Sequence, residues 1–141
     1  MIKKMMLLVA FALYLCVGNI VAEEIPLQEH LLDGSSMDYF YQTGMAIHLE
    51  IYDGKIKYKW IAGPRKGKGN KDLPYSSRKI GDKMYVIRWL EESHPDYMTL
   101  IFNFNNNVMY SSGILRFGTK DQFTVFDGGI IENLTLVEKN N

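Results

Sequence analysis

The chain has 141 residues with 16 basic and 16 acidic side chains, so its formal net charge at pH 7 is zero. This balance argues against nucleic-acid binding, which needs a basic surface to neutralise phosphates. Hydrophobic residues make up 47% of the chain and aromatic residues 13%, which is enough to form the core of one globular domain.

The N-terminal residues have the order of a secretory signal peptide. Lys3 and Lys4 precede an apolar run over residues 5–18, and the small residue Ala22 is followed by two acidic residues. The run is shorter than the ~20 residues that a helix needs to cross a bilayer. We therefore predict cleavage after Ala22, a single mature domain over residues 23–141, and export to the periplasm or out of the cell. A retained anchor and a lipid attached to Cys16 are the alternatives.

Metal and cofactor chemistry has little support. The only cysteine, Cys16, lies in the predicted signal peptide, so the mature chain would have no disulfide or thiolate. His30, His48 and His94 lack the convergent spacing of zinc ligands. We predict no metal, no cofactor, and no membrane contact after removal of the signal peptide. The sequence is compatible with a homodimer as well as a monomer.

The mature chain reads as one short helix followed by strands. A helix is predicted over residues 26–34, with Pro26 at its start and Gly34 at its end. Short apolar-polar runs then alternate with turns such as Asp53-Gly54, a strong hairpin signal. About nine strands are predicted, over Met37–Tyr41, Met45–Tyr52, Lys55–Trp60, Tyr75–Ile80, Met84–Trp89, Tyr97–Phe104, Val108–Arg116, Gln122–Phe126 and Ile130–Val137.

Strands at this spacing indicate an antiparallel meander that forms a sandwich or a closed barrel. Closure is favoured because it leaves no exposed sheet edge. The fold prediction is therefore an all-β antiparallel barrel of about eight to nine strands with a short N-terminal helix. The interior of such a barrel holds side chains or one small ligand. In the third strand, alternation predicts an inward face of Ile56, Tyr58 and Trp60 and a solvated face of Lys55, Lys57 and Lys59.

Two sets of polar side chains are candidates for an internal site. Tyr39 and Tyr41 share one face of a strand, so their hydroxyls would be either at the surface or inside, where each needs a partner. Glu91 follows the inward Trp89 by two residues. If the strand continues, its carboxyl group lies among aromatic side chains and is a candidate proton donor or acceptor. If the strand ends earlier, Glu91 is solvated.

The predicted loop from Ala62 to Pro74 contains Gly63-Pro64-Arg65-Lys66-Gly67-Lys68-Gly69. It does not match a phosphate-binding loop, because no Ser or Thr follows the Gly-Lys pair and no helix begins there. Two interpretations remain, a solvated basic loop and an anion clamp at the barrel mouth in which Lys68 or Arg65 meets a carboxylate.

Several of these segments resemble the MoaF-like family of small calycin (lipocalin-like) barrels and their relatives, the phenolic acid decarboxylases. The resemblance extends from Met37 to about Gly113. It rests on Tyr39-Phe40-Tyr41-Gln42-Thr43-Gly44, Lys57-Tyr58-Lys59-Trp60, the segment from Gly63 to Lys68, Pro74-Tyr75, the segment from Met84 to Glu91, and Tyr97-Met98-Thr99-Leu100.

The decarboxylases remove carbon dioxide from para-hydroxycinnamic acids without a cofactor, using a tyrosine pair, an arginine and a glutamate. The resemblance implies that the tyrosine pair corresponds to Tyr39 and Tyr41, the glutamate to Glu91 and the arginine to Lys68. Lysine keeps the charge but lacks the planar fork of arginine, so the chain departs from the decarboxylases there. If the chain is a lyase, the tyrosines hold a carboxylate and Glu91 transfers the proton.

The favoured hypothesis is a binding protein for a small aromatic or carboxylate-bearing organic ligand. Tyr39, Tyr41 and Lys68 would meet the anionic end, while Tyr58 and Trp89 pack against the ring. The lysine and the predicted export favour binding over the lyase hypothesis. A filled barrel that acts through its surface is the third alternative.

Overall fold

The structure, a computed structural model, describes residues 29–139. Eight antiparallel strands, each paired with the next, close into a barrel when the last strand pairs with the first. This confirms the predicted all-β antiparallel barrel. The strands are β1 (Ser36–Tyr41), β2 (Ala46–Tyr52), β3 (Lys55–Ala62), β4 (Gly69–Gly81), β5 (Met84–Glu91), β6 (Asp96–Asn103), β7 (Val108–Leu115) and β8 (Phe123–Thr135).

Closure brings the backbones of β1 and β8 together at Gly129. This glycine pairs with Tyr41, and Phe40 pairs with Ile130. A Cβ atom at Gly129 would lie only 2.4 Å from the Phe40 carbonyl oxygen. The absent side chain therefore permits the pairing that removes the exposed edges of the sheet.

The predicted alternation of β3 is confirmed. Ile56 is completely buried, and Tyr58 and Trp60 are half-buried and line the interior. The lysines at positions 55, 57 and 59 are exposed. A shift of one residue would exchange these two faces, and each ammonium group moved inside would cost several kcal/mol.

The turn implied between the predicted strands Gln122–Phe126 and Ile130–Val137 is wrong. Residues 127–129 lie inside the 13-residue strand β8, so the barrel has eight strands and not nine. Glycine and aspartate favour turns when nothing else restrains them. Here the two neighbouring strands hold these residues in an extended conformation, because Gly128 pairs with Tyr110 of β7 and Gly129 pairs with Tyr41 of β1.

The predicted loop between residues 62 and 74 is also too long, because β4 begins at Gly69. The register between β3 and β4 shifts between Ile56 and Tyr58, and Asp72 on the opposite strand has φ +59°. This bulge breaks the alternation by which the strand would have been recognised.

The predicted helix over residues 26–34 is not found in its described part, where residues 31–34 form turns. Side chains of β4 accept hydrogen bonds from the backbone amide groups that would donate within a helix. Ser77 Oγ accepts from Leu31 N–H at 2.8 Å, and Tyr75 Oη accepts from Leu32 N–H at 3.3 Å. Residues 26–28 and the predicted signal peptide lie outside the described residues. Between residues 29 and 139, no helix is long and apolar enough to span a bilayer.

The two ends of the barrel differ. At the closed end, Leu31 and Leu32 are buried and the rings of Phe102 and Phe104 stack with their centroids 5.4 Å apart. The opposite end, called the mouth below, is formed by the β1–β2, β3–β4, β5–β6 and β7–β8 connections. A site accessible to a ligand therefore has to lie toward the mouth.

Candidate ligand pocket

The half of the barrel nearer the mouth contains a cavity of about 110 Å³. Since an apolar cavity of about 150 Å³ can hold benzene, this smaller cavity has room for a single ring at most. Its walls are mainly aromatic, with Tyr39 and Tyr41 from β1, Tyr58 and Trp60 from β3, and Trp89 from β5.

The tyrosine pair of β1 lies on the inner face. The ring centroids of Tyr39 and Tyr41 are 5.3 Å apart and the rings are nearly perpendicular, at 88°. Burial raises the pKa of Tyr39 well above its usual value, and the neighbouring Tyr41 adds to the rise. Burial also raises the pKa of Tyr41, although hydrogen bonds from Ser111 and Tyr39 offset part of this effect. Both phenols are therefore neutral near pH 7, and a neutral phenol can donate a hydrogen bond to a ligand.

Glu91 lies on the cavity wall because β5 extends as far as this residue. The residue is only 5% exposed. Asn70 Nδ2 donates to one carboxylate oxygen at 3.0 Å, and Trp89 Nε1 donates to the other at 3.4 Å. Tyr58 borders the same cavity as Glu91. The pKa of Tyr58 is raised mainly by burial, and the charge and hydrogen bonding of Glu91 raise it further.

The donors to Glu91 are all neutral. The four ion pairs among residues 29–139 involve other carboxylates, as in Lys57–Glu50 and Lys139–Asp33. A buried carboxylate that meets only neutral donors recovers less of its desolvation cost than one beside a cation. A ligand group that donates a hydrogen bond would therefore be favoured next to Glu91.

The cavity opens into a wider mouth of about 430 Å³. Three basic side chains border this space, Arg65, Lys68 and Arg116, together with the carboxylates Glu91 and Asp96. Arg65 also borders the inner cavity, and its guanidinium carbon lies 5.9 Å from the centroid of the Trp60 ring. Lys68 borders the mouth but not the inner cavity. An anionic group that enters from the mouth would thus reach Arg65 at the entrance to the cavity.

The structure brings most of the predicted site residues together. Tyr39, Tyr41, Tyr58, Trp89 and Glu91 all border the inner cavity. Their roles in binding or catalysis stay predictions. The resemblance assigned Lys68 to the arginine position of the decarboxylases. Lys68 borders the mouth and not the inner cavity.

Several polar residues of the site were not identified from the sequence, among them Asn70, Ser111, Asp96 and Asp127. Asn70 lies in the segment interpreted as a loop, and only the true start of β4 reveals that it pairs with Tyr58. Ser111 lines the cavity. It lies two residues after the buried Met109 and shares the inner face of β7 with it, because buried and exposed residues alternate along this strand. That alternation was present in the sequence and could have indicated Ser111.

A closed eight-stranded antiparallel barrel with a cavity toward one end is the architecture of the calycin proteins. The sequence model of the MoaF-like family matches residues 33–130, and the chain belongs to this family. The resemblance found in the sequence is thereby confirmed.

Among solved structures, the chain is similar to a crystallised protein from Burkholderia vietnamiensis described as a "putative beta-lactamase". The two share 18% identity with a TM-score of 0.60, over 74% of this chain and 94% of the other. At this identity the likeness shows the fold alone. No curated protein matches the chain significantly.

Proposed function

We propose that this MoaF-like protein is an exported binding protein for a small, single-ring aromatic ligand that carries a carboxylate. The observation that carries the proposal is a ring-sized aromatic cavity placed directly behind a mouth with three basic side chains. The cavity supplies the apolar contact, and Arg65 at its entrance supplies the positive charge that an anion would meet.

The aromatic wall accounts for the ring of the ligand. The centroids of Tyr41 and Trp60 are 6.4 Å apart at an angle of 30°, and Trp89 lies on the neighbouring part of the wall. Aromatic rings attract one another at such separations, by about 0.5–1.5 kcal/mol per pair beyond the area buried. A flat ring therefore gains more here than an aliphatic chain of equal size.

The polar groups account for the substituents of the ligand. Arg65 can offer a carboxylate two parallel hydrogen bonds, a geometry that lysine lacks. Glu91, which borders the same cavity, accepts hydrogen bonds and favours a donor such as a ring hydroxyl. A hydroxylated aromatic acid satisfies both requirements.

Binding can be tested by native mass spectrometry of the purified protein and by calorimetric titration with para-hydroxycinnamate and with its methyl ester. We expect the acid to bind and the ester to bind more weakly. Arg65→Gln should weaken binding of the acid by about 10–100-fold, the loss expected for hydrogen bonds to a charged group. Lys59→Gln, on the outer face of β3, is the matched control and should change little. Equal losses in both variants would contradict the proposed role of Arg65.

Export is supported by the basic and then apolar order of the N-terminus, with acidic residues after Ala22. Mass spectrometry of the exported protein should show a chain that begins at Glu23. An intact N-terminus, or a lipid on Cys16, would refute this part of the proposal.

A cofactor-free lyase is the second candidate, because Glu91 and the tyrosine pair border the same cavity. In that reaction the bond between the carboxyl carbon and the adjacent alkene carbon of a para-hydroxycinnamate breaks. Carbon dioxide leaves and the electron pair of the broken bond stays on the alkene carbon. A protonated Glu91 transfers its proton to that carbon and takes up another from water. Glu91→Gln should then abolish release of the vinylphenol and leave binding nearly unchanged. If the unaltered protein binds the acid without converting it, the lyase candidate fails and the binding proposal stands.

A further inference from the structure

The outer surface of the barrel has two very different sides. Across β2 and β3 it is charged, with Glu50 opposite Lys57 and His48 opposite Lys59. Across β6, β7, β8 and β1 it carries large exposed apolar side chains. These side chains, called the apolar face below, are Phe40, Ile101, Tyr110, Phe126 and Ile130.

The strand register makes the apolar face continuous. Ile101 of β6 lies opposite Tyr110 of β7, and Ile130 of β8 lies opposite Phe40 of β1. Val108 pairs with Ile130 and so links the two rows across β7 and β8. Paired residues of this kind have Cβ atoms about 4.5–5.5 Å apart, so their side chains form one surface.

Gly128 flattens the centre of the apolar face. It pairs with Tyr110, and a Cβ atom there would lie 3.1 Å from Tyr110 Cδ1. The phenol ring therefore lies across the β8 backbone where a side chain would otherwise stand. Tyr110 remains 54% exposed, Ile130 58% and Phe126 88%, so no described part of the chain covers this surface.

We propose that the apolar face is the interface of a symmetric homodimer. If a large apolar side chain offers about 150–250 Å², the exposed parts of these five residues amount to on the order of 500 Å². A stable interface buries about 800 Å² per partner, and the surrounding residues of the same strands can supply the remainder. In a twofold arrangement each copy presents the same surface to the other, and two such sheet faces pack about 10 Å apart.

Charge favours a second copy over a lipid surface. The apolar face contains no lysine or arginine, and its cross-strand neighbours include Ser112, which pairs with Phe126 and with Thr99. Proteins that bind anionic membranes place basic residues around their apolar contact. Here the lysines of β3 lie on the other side of the barrel, and on the β6 side the exposed Arg88 is paired with Thr99 and not with a residue of the apolar face.

The test is sedimentation equilibrium of the purified protein, compared with Phe126→Ser and Tyr110→Ser. Phe117→Ser is the matched control, since Phe117 is equally an exposed phenylalanine but lies in the β7–β8 connection. We expect a dimer for the unaltered protein and for the control. Each of the other two variants should raise the dimer dissociation constant by about 30-fold, the effect of losing an interface hot spot. Because both side chains are exposed in the single barrel, circular dichroism should show unchanged folding.

A monomer at 100-fold the concentration used for ligand binding would overturn the proposal. So would a dimer that Phe126→Ser and Tyr110→Ser leave intact, because its interface would lie elsewhere. A monomer that adsorbs to neutral lipid vesicles through the same residues would assign the face to a membrane instead. All these variants have the same N-terminal sequence. A difference between their dimer dissociation constants therefore reports on the apolar face alone.

Discussion

Asp33 fastens the closed end of the barrel, and its replacement by alanine tests how that end is held. Both carboxylate oxygens accept from Gly54 N–H at 3.1 Å. Tyr75 Oη donates to Oδ1 at 2.9 Å, and Lys139 Nζ donates to Oδ2 at 3.0 Å. One side chain thereby joins the β2–β3 turn, β4 and the segment that follows β8.

The magnitude follows from the exposure of each partner. The Lys139 side chain is 53% exposed and that of Asp33 is 12% exposed, so this ion pair contributes no more than about 0.2–1 kcal/mol. The contacts to Gly54 and Tyr75 are more sheltered, and hydrogen bonds to a charged group contribute about 1.5–3 kcal/mol. We expect Asp33→Ala to lower the free energy of unfolding by about 2–4 kcal/mol, and Lys139→Ala by less than about 1 kcal/mol.

Urea denaturation followed by tryptophan fluorescence measures this difference. The control is Asp82→Ala, since Asp82 is exposed in the β4–β5 turn and its replacement should shift the midpoint little. If Asp33→Ala and Asp82→Ala lower the midpoint equally, the closed end is not held by Asp33 and the reasoning fails.

The same variant predicts a pH dependence. Burial alone would raise the pKa of Asp33, but hydrogen bonds from Lys139, Gly54 and Tyr75 outweigh it and hold the pKa below the ordinary value of 3.8. A pKa depressed by folding gives stability that is present above the unfolded value and is lost as the pH falls through the folded value. The gap in stability between the native protein and Asp33→Ala should therefore be constant near pH 7 and narrow below about pH 4.

Three further predictions concern the barrel wall. Ile56→Ala should cost about 2–5 kcal/mol and Lys57→Ala less than about 1 kcal/mol in urea denaturation, and similar costs would contradict the assigned faces of β3. Gly129→Val should prevent a stable barrel, which loss of a cooperative thermal transition would report, whereas an unchanged transition would show that β1 and β8 tolerate separation there. Because the pKa values of Tyr39 and Tyr41 are raised, their neutral forms stabilise the fold at neutral pH. That stability should be lost as the pH rises above about 10, and phenolate absorbance should appear together with unfolding. Titration of all tyrosines in a folded protein would refute their burial.

The inward faces were predictable where the alternation of apolar and polar residues was unbroken. In β3, charge and hydrophobicity alternate at every position, so only one register keeps the lysines in water. Glu91 follows from the same rule, because it lies two residues after Trp89 on a strand that does not end before it. Strand periodicity alone therefore predicted the β3 wall of the cavity, whereas the inward position of Glu91 stayed open until β5 was seen to reach it.

Other parts of the fold could not be predicted, because they depend on contacts between strands that are distant in the sequence. Gly128 and Gly129 have turn character locally, and only pairing with strands on both sides makes them part of β8. The bulge between the pairs made by Ile56 and Tyr58 concealed the start of β4 and with it Asn70. The choice between Arg65 and Lys68 depended on the path of a glycine-rich connection, which periodicity cannot give.

Both ends of the described chain, Glu29 and Lys139, belong to the side of the barrel opposite the mouth, as the backbone hydrogen bond from Lys139 N–H to the Leu31 carbonyl shows. A tag, a fused domain or an immobilising surface attached at either end would stand behind the pocket and leave its entrance facing solution. The four connections at the entrance can also be exchanged in a display library without touching the point of attachment. The proposed binding of small aromatic acids can thus be measured on a surface-coupled barrel without blocking its open end.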